Sequence, residues 1–381
     1  VSFRFFTMLQ PPRHLVSLLT AAVALAAASC AGSTETRRYD RAAAQRSLRT
    51  LETAGLVVGE FSLRPDSVVD GDTLKVKGIE TSLRLLSLDT EEKFRSQEDK
   101  LLYEKGWAEF KRVKRGDSRK PPKIASPMGE VATNWAKQFF AGVDRVRLER
   151  DDPSELRGSF GRYLTYVFAY KDGRWVNYNV EAVRAGMSPY FMKYGYSRRF
   201  HDELEAAMQE ARDASRGIWD PAAESYGDYD ERLSWWRERA DFIRQFRQDQ
   251  KTRQDGDDAP ELISLGQWDA LARLDDNVGK PIEILGSIGT IRLGDRGPTR
   301  VLLSRRRGSN LPVIFFDKDL FLSTGLLQRR GEFIRVRGTV SKYFNKYRNQ
   351  SELQIIVSQP GQISTAPVPF FRRDAVANDN R

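Results

Sequence analysis

The 381-residue sequence has one cysteine and two histidines. A single cysteine excludes an intrachain disulfide, so no covalent staple supports the fold. Cys30, His14 and His201 are too few and too scattered to make a conventional cysteine–histidine zinc site. Long apolar runs are also missing. The stretch at residues 15–28 falls short of the ~20 apolar residues that a membrane-spanning helix needs. What the chain has in excess is positive charge, a net +10 with a pI near 9.6. That balance favours polyanionic partners such as nucleic acid or anionic lipid.

The N-terminus reads as an export signal. Arg4 and Arg13 precede the apolar run, which ends in Ala27-Ala28-Ser29-Cys30. This resembles a bacterial lipoprotein signal, with Cys30 as the lipidated residue and Ala27 where leucine is usual. The alternatives are an ordinary cleaved signal and an uncleaved anchor. The expected location is the bacterial cell envelope, lipid-anchored in the periplasm or outer membrane, or outside the cell.

Composition then divides the chain. Residues 31–60 read as a tether, 61–222 as a first domain, 223–260 as an amphipathic helical linker, 261–365 as a second domain and 366–381 as a loose tail. In the first domain, Val68-Val69 and Leu74–Val76 flank an Asp-Gly-Asp turn, a hairpin signal. Residues 83–88 form a mostly apolar strand. Residues 93–127 read as an insertion, helical around 98–110, that ends in a basic loop carrying Lys111, Arg112, Lys114, Arg115, Arg119, Lys120 and Lys123. That loop is either a phosphate-tracking arm or simply solvated, and the solvated reading is preferred. Met128, Ala132, Trp135 and Phe139 recur at helical spacing. Further strands at 146–148 and 163–170, then helices around Val180–Val183 and Leu204–Ala211, complete the pattern of a small five-stranded barrel. In the second domain, six short strands are expected at 281–286, 290–293, 301–304, 312–316, 332–340 and 352–357. Residues 280–358 hold 15 Lys/Arg against 6 Asp/Glu, so this domain too suits an anionic partner. The predicted fold class is mixed α+β: an OB-type five-stranded barrel with packed helices, then a second OB-like barrel.

The charged residues near the first hairpin suggest a chemistry. A phosphodiester is anionic, and the transition state for its hydrolysis concentrates more charge on the phosphorus oxygens. Asp72 and Asp89 offer carboxylates to a hard, oxygen-loving cation such as calcium. Arg84 and Arg162 each offer a planar fork to phosphate oxygens. Glu92 can take a proton from an attacking water or position it. Each acid–base pair taken alone is also explained by mutual neutralisation.

The order of these pieces resembles the thermonuclease (staphylococcal nuclease-like) family over about residues 62–220. The matching segments are Asp70-Gly71-Asp72-Thr73, then Arg84-Leu85-Leu86-Ser87-Leu88-Asp89-Thr90-Glu91-Glu92, then Gly161-Arg162, and finally Gly217-Ile218-Trp219. The resemblance implies metal ligation by Asp72, Asp89 and the Thr90 carbonyl, with Ca2+ as cofactor. It implies water activation by Glu92 and phosphate clamping by Arg84 and Arg162. It also implies DNA and/or RNA as substrate and 3′-phosphate products. The chain departs from the family pattern by placing Glu91 where proline usually precedes the glutamate. It also has Phe160 where a tyrosine usually stands. Phe160, Tyr190 and Tyr194 are candidates for stacking on bases. On the second barrel, Tyr343, Lys346 and Tyr347 are candidates for stacking and phosphate contact.

The sequence thus favours an exported, lipid-anchored calcium-dependent endonuclease. Its rival is a non-catalytic nucleic-acid-binding or scaffold protein of the envelope. A third reading makes the second barrel a protein-docking module.

Overall fold

The computed structural model describes residues 55–367 except 119, 156–157, 159–161, 254–258, 307–308 and 347–348. The signal segment, Cys30, Phe160 and Tyr347 therefore lie outside the described residues.

The first barrel is built from β1 (Val57–Asp70), β2 (Thr73–Val76), β3 (Leu83–Leu85), β4 (Arg145–Glu149) and β5 (Leu164–Lys171), with β6 (Arg174–Asn177) attached to β5. As the turn signal predicts, β1 and β2 form a hairpin with Asp70 opposite Thr73. The neighbours run β1–β2–β3–β5–β4 and back to β1, closed by a parallel β3–β5 pairing. Closure leaves those five strands without a free edge. Val76, Leu83, Leu88, Val146 and Val167 fill the interior with almost no exposure.

Three helices cover this barrel: α3 (Pro127–Phe139), α4 (Tyr178–Arg184) and α5 (His201–Asp213). Ser126 caps α3 by accepting from the Gly129 amide, and Pro127 opens its first turn. Met128, Ala132 and Ala136 are the buried stripe of α3. The insertion contains two helices, α1 (Gln97–Tyr103) and α2 (Trp107–Arg115), rather than one. Gly106 separates them with φ at 111°, a left-handed conformation that other residues resist.

The second barrel repeats the ring. Its strands are β8 (Pro281–Arg292), β9 (Thr299–Arg306), β10 (Ser309–Phe315), β11 (Phe333–Asn345) and β12 (Gln350–Val357). They run β8–β9–β10–β12–β11 and back to β8, again with a parallel pairing between third and fifth strands. Two short strands, β7 (Glu261–Ser264) and β13 (Ile363–Thr365), add to β8 and β11. The two strands expected at 281–286 and 290–293 are one continuous β8. The break expected between them is only a register irregularity between Ile288 and Thr290.

The segment expected to be a linker is α6 (Tyr229–Thr252), a 24-residue helix that is a structural part of both barrels. Leu233, Trp235, Trp236 and Ala240 join the first barrel's core. One to two turns later, Ile243 and Phe246 pack with Leu262 and Leu285 of the second. Arg239 of α6 pairs with Glu332 at 2.9 Å, and both are buried. Lys120 of the insertion and the Trp235 indole also reach Glu332. Supplying several donors to one buried carboxylate is how a protein offsets the desolvation of such a pair. The basic loop is therefore not simply solvated. Lys120, Lys123 and Arg115 all have specific acidic partners. Among the described residues, no helix is long and apolar enough to cross a membrane.

Candidate active site

Local packing brings the charges of the two motifs together. Gly71 sits at the hairpin turn because a Cβ there would lie 2.6 Å from Thr90 Cγ2. The Tyr178 hydroxyl holds the same turn by donating to the Gly71 carbonyl at 2.8 Å. Thr73 is then opposite Arg84 across β2 and β3. Arg84 pairs in turn with Leu164 across the parallel β3–β5 ladder. Arg162 lies two residues before Leu164, hence on the same side of the extended chain. At α3, a Cβ on Gly129 would lie 2.2 Å from the Glu92 carbonyl oxygen, so glycine lets the helix start press against this loop.

The result is a cleft of about 590 Å3 lined by Asp72, Arg84, Asp89, Glu92, Lys123 and Arg162, among others. Arg84 lies at its centre. One guanidinium nitrogen pairs with Asp72, and the other reaches Asp89 at 2.8 Å and the Leu88 carbonyl at 3.1 Å. Burial works against the charge on Arg84, but Asp72 and Asp89 outweigh it and hold the guanidinium above its ordinary pKa. Both carboxylates are nearly inaccessible, at 6% and 5% exposure. Lys123 forms a second ion pair with Asp89.

The adjacent glutamates separate cleanly. Glu91 is 2% exposed and points away from the cleft. Its carboxylate accepts from Ser126 Oγ, the Tyr226 amide at 2.8 Å and the Tyr229 hydroxyl at 2.6 Å. Burial raises its pKa even so, with those donors pulling the other way. Glu92 lines the cleft with a side chain 42% exposed, within 3.8 Å of Arg95. Glu91→Ala is therefore expected to act on stability. Removing the acceptor of three buried donors should cost about 3 kcal/mol, read as a lower denaturation midpoint. A variant as stable as the wild type would contradict this role.

The expected metal ligands suit a hard cation by donor type. Asp72 and Asp89 supply oxygen only and meet at one guanidinium. Among the described residues no group of three or more acidic, histidine or cysteine side chains gathers around a point. A cation there would need carbonyl and water oxygens as well as the two carboxylates. Thr90 is buried beside the turn at 4% exposure.

Other expected residues separate by position. Tyr194 lines the cleft and is 61% exposed. Tyr190 is not a stacking residue but a core one. It is fully buried, and its hydroxyl accepts from the Ser197 amide at 2.8 Å and contacts His201 Nδ1 at 3.2 Å. Tyr343 lines a different groove, of about 830 Å3, on the second barrel, and Lys346 is exposed beside that hairpin.

Two lysines, Lys123 and Lys193, stand at the cleft beyond the expected catalytic and metal-binding residues. Lys123 was submerged in a run of basic residues. Lys193 has no sequence signal beyond its position one residue before Tyr194. It lines the cleft with its ammonium 4.6 Å from the Trp235 ring. Burial, reinforced by Arg239, pushes its pKa down to about 8, while Asp89 and Glu332 resist.

A closed OB-type barrel with arginines, lysines and carboxylates converging on one cleft has the makings of a phosphate-ester site. Residues 83–221 match the family described as "Staphylococcal nuclease homologue". The match includes Arg84, Asp89, Thr90, Glu92 and Arg162, while Asp72 precedes it on β2's side of the hairpin. An uncharacterized protein of Methanocaldococcus jannaschii is 26% identical over 160 residues, covering 40% of this chain and 68% of the relative.

Proposed function

We propose that this cleft hydrolyses phosphodiester bonds of DNA, RNA or both in a calcium-dependent reaction that leaves 3′-phosphate ends. The observation that carries the proposal is the division of labour among its charges. Arg84 bridges Asp72 and Asp89, while Arg162 lines the same cleft with no acidic partner among the described residues. An arginine left without a carboxylate beside a cleft is available to an anionic substrate.

In this reading Arg84 and Arg162 hold the oxygens of the scissile phosphate and stabilise the charge that grows on them. Glu92, exposed at the cleft wall, accepts a proton from water as that water attacks phosphorus. The bond from phosphorus to the 5′-oxygen breaks, and the departing oxygen takes a proton from solvent. Asp72, Asp89 and the Thr90 carbonyl are the proposed calcium ligands. Bound there, calcium would supply Lewis-acid polarisation of a phosphate oxygen. Glu91 has no part in the chemistry because its carboxylate is consumed by Ser126, Tyr226 and Tyr229.

The proposal extends to location. The basic and apolar N-terminal segment supports export, and Cys30 supports a lipid anchor in the cell envelope. The reaction is tested by incubating the chain with single-stranded DNA and with RNA, in calcium and in excess chelator. Cleavage only with calcium is expected. Tight binding without cleavage in any divalent cation would replace this reading with that of an envelope nucleic-acid-binding protein.

A further inference from the structure

We propose that Lys193 is a second phosphate clamp of the cleft, holding the phosphate next to the one at Arg84 and Arg162. This rests on the nuclease reading of the cleft.

The second barrel supplies part of the argument. Ser264, Leu265, Gly286, Ser304 and Phe333 line the same cleft as Asp72, Arg84 and Asp89, so the site has a wall from each barrel. A cavity of about 590 Å3 is in the size range that holds one small ligand.

Lys193 supplies the rest. Among the described residues its ammonium has no carboxylate or other hydrogen-bond acceptor, and it sits against the face of Trp235. Half-burying a lysine without an acceptor is costly unless an anion completes the site. Its placement is fixed from outside the nuclease barrel. Arg239 of α6 donates to the Lys193 carbonyl at 3.1 Å and pairs with Glu332, just before β11 of the second barrel. Next along the chain, Tyr194 lies edge-on to Phe333 with ring centroids 6.4 Å apart. Both line the cleft, giving a base an aromatic surface beside the cation. The second barrel thus builds half of a nucleotide site rather than carrying an independent one.

The test is equilibrium binding of a fluorescent thymidine hexanucleotide to the full chain in chelator, where no cleavage can occur, over a range of salt. Lys193→Met is expected to weaken binding about tenfold and to lower the salt slope by about one. Lys193→Arg should restore most of both. The melting temperature of Lys193→Met should equal or exceed that of the wild type, because a half-buried charge without an acceptor has been removed. Unchanged affinity and salt slope in Lys193→Met would overturn the clamp. Failure of the wild type to bind would overturn it as well. The nuclease reading fails separately, if hexanucleotide is bound as described but never cleaved in calcium.

Discussion

Arg84→Ala is expected to lower phosphodiester hydrolysis by at least 10²–10³-fold, the usual loss when one preorganised donor to the transition state is removed. The structure adds a second consequence. Arg84 is the cation shared by two buried carboxylates, and without it Asp89 keeps Lys123 while Asp72 keeps the Thr73 hydroxyl but no cation among the described residues. Uncompensated buried charge typically costs about 3–5 kcal/mol, and part of that should appear as a lower melting temperature in chelator. Calcium should recover much of the loss, since a cation that binds only the folded state stabilises it by mass action. Thermal melting with and without calcium, alongside rate measurements, separates the two roles. Calcium should raise the melting temperature of Arg84→Ala more than that of the wild type. Equal shifts would contradict Asp72 and Asp89 as the calcium site, and an unchanged rate would remove Arg84 from the chemistry.

Glu92→Gln should lower kcat by about 10²–10⁴-fold, the range for loss of a positioned general base. Here stability should not change, because the side chain is 42% exposed and its ion pair with Arg95 at 3.8 Å is a surface contact. The contrast with Glu91→Ala is the useful part. One carboxylate should matter to rate and its neighbour to folding. If Glu91→Gln, rather than Glu92→Gln, eliminated turnover while keeping the fold, the assignment would be reversed.

The comparison of these neighbours shows what the sequence encodes and what it does not. The hairpin at Asp70–Thr73 was legible because an Asp-Gly-Asp turn between two apolar runs determines it. Arg84 and Arg162 were legible as a pair only through the resemblance, since the parallel β3–β5 ladder that aligns them spans a long insertion. Glu91 and Glu92 could not be separated by spacing alone. Their fates depend on Tyr226 and Tyr229, more than 130 residues later, reaching back to one of them. Tyr190 failed as a stacking residue for a similar reason: its hydroxyl is spent on the Ser197 amide. Lys193 stayed invisible because its setting is made by Trp235 and Arg239, and theirs by Glu332. The helix carrying Trp235 and Arg239 looked like a linker because its charged residues dominate its composition. Its apolar residues are divided between two cores, which weakens the single amphipathic stripe expected of a surface helix.

The central claim is a reaction at phosphorus with loss of the 5′-oxygen, and the product termini test it most directly. A single-stranded oligonucleotide digested by the chain in calcium would be resolved by mass spectrometry. The account predicts fragments ending in a 3′-phosphate with a matching 5′-hydroxyl, and their disappearance in Arg84→Ala. Fragments carrying 5′-phosphate and 3′-hydroxyl ends would contradict it, because the opposite phosphorus–oxygen bond would then have broken.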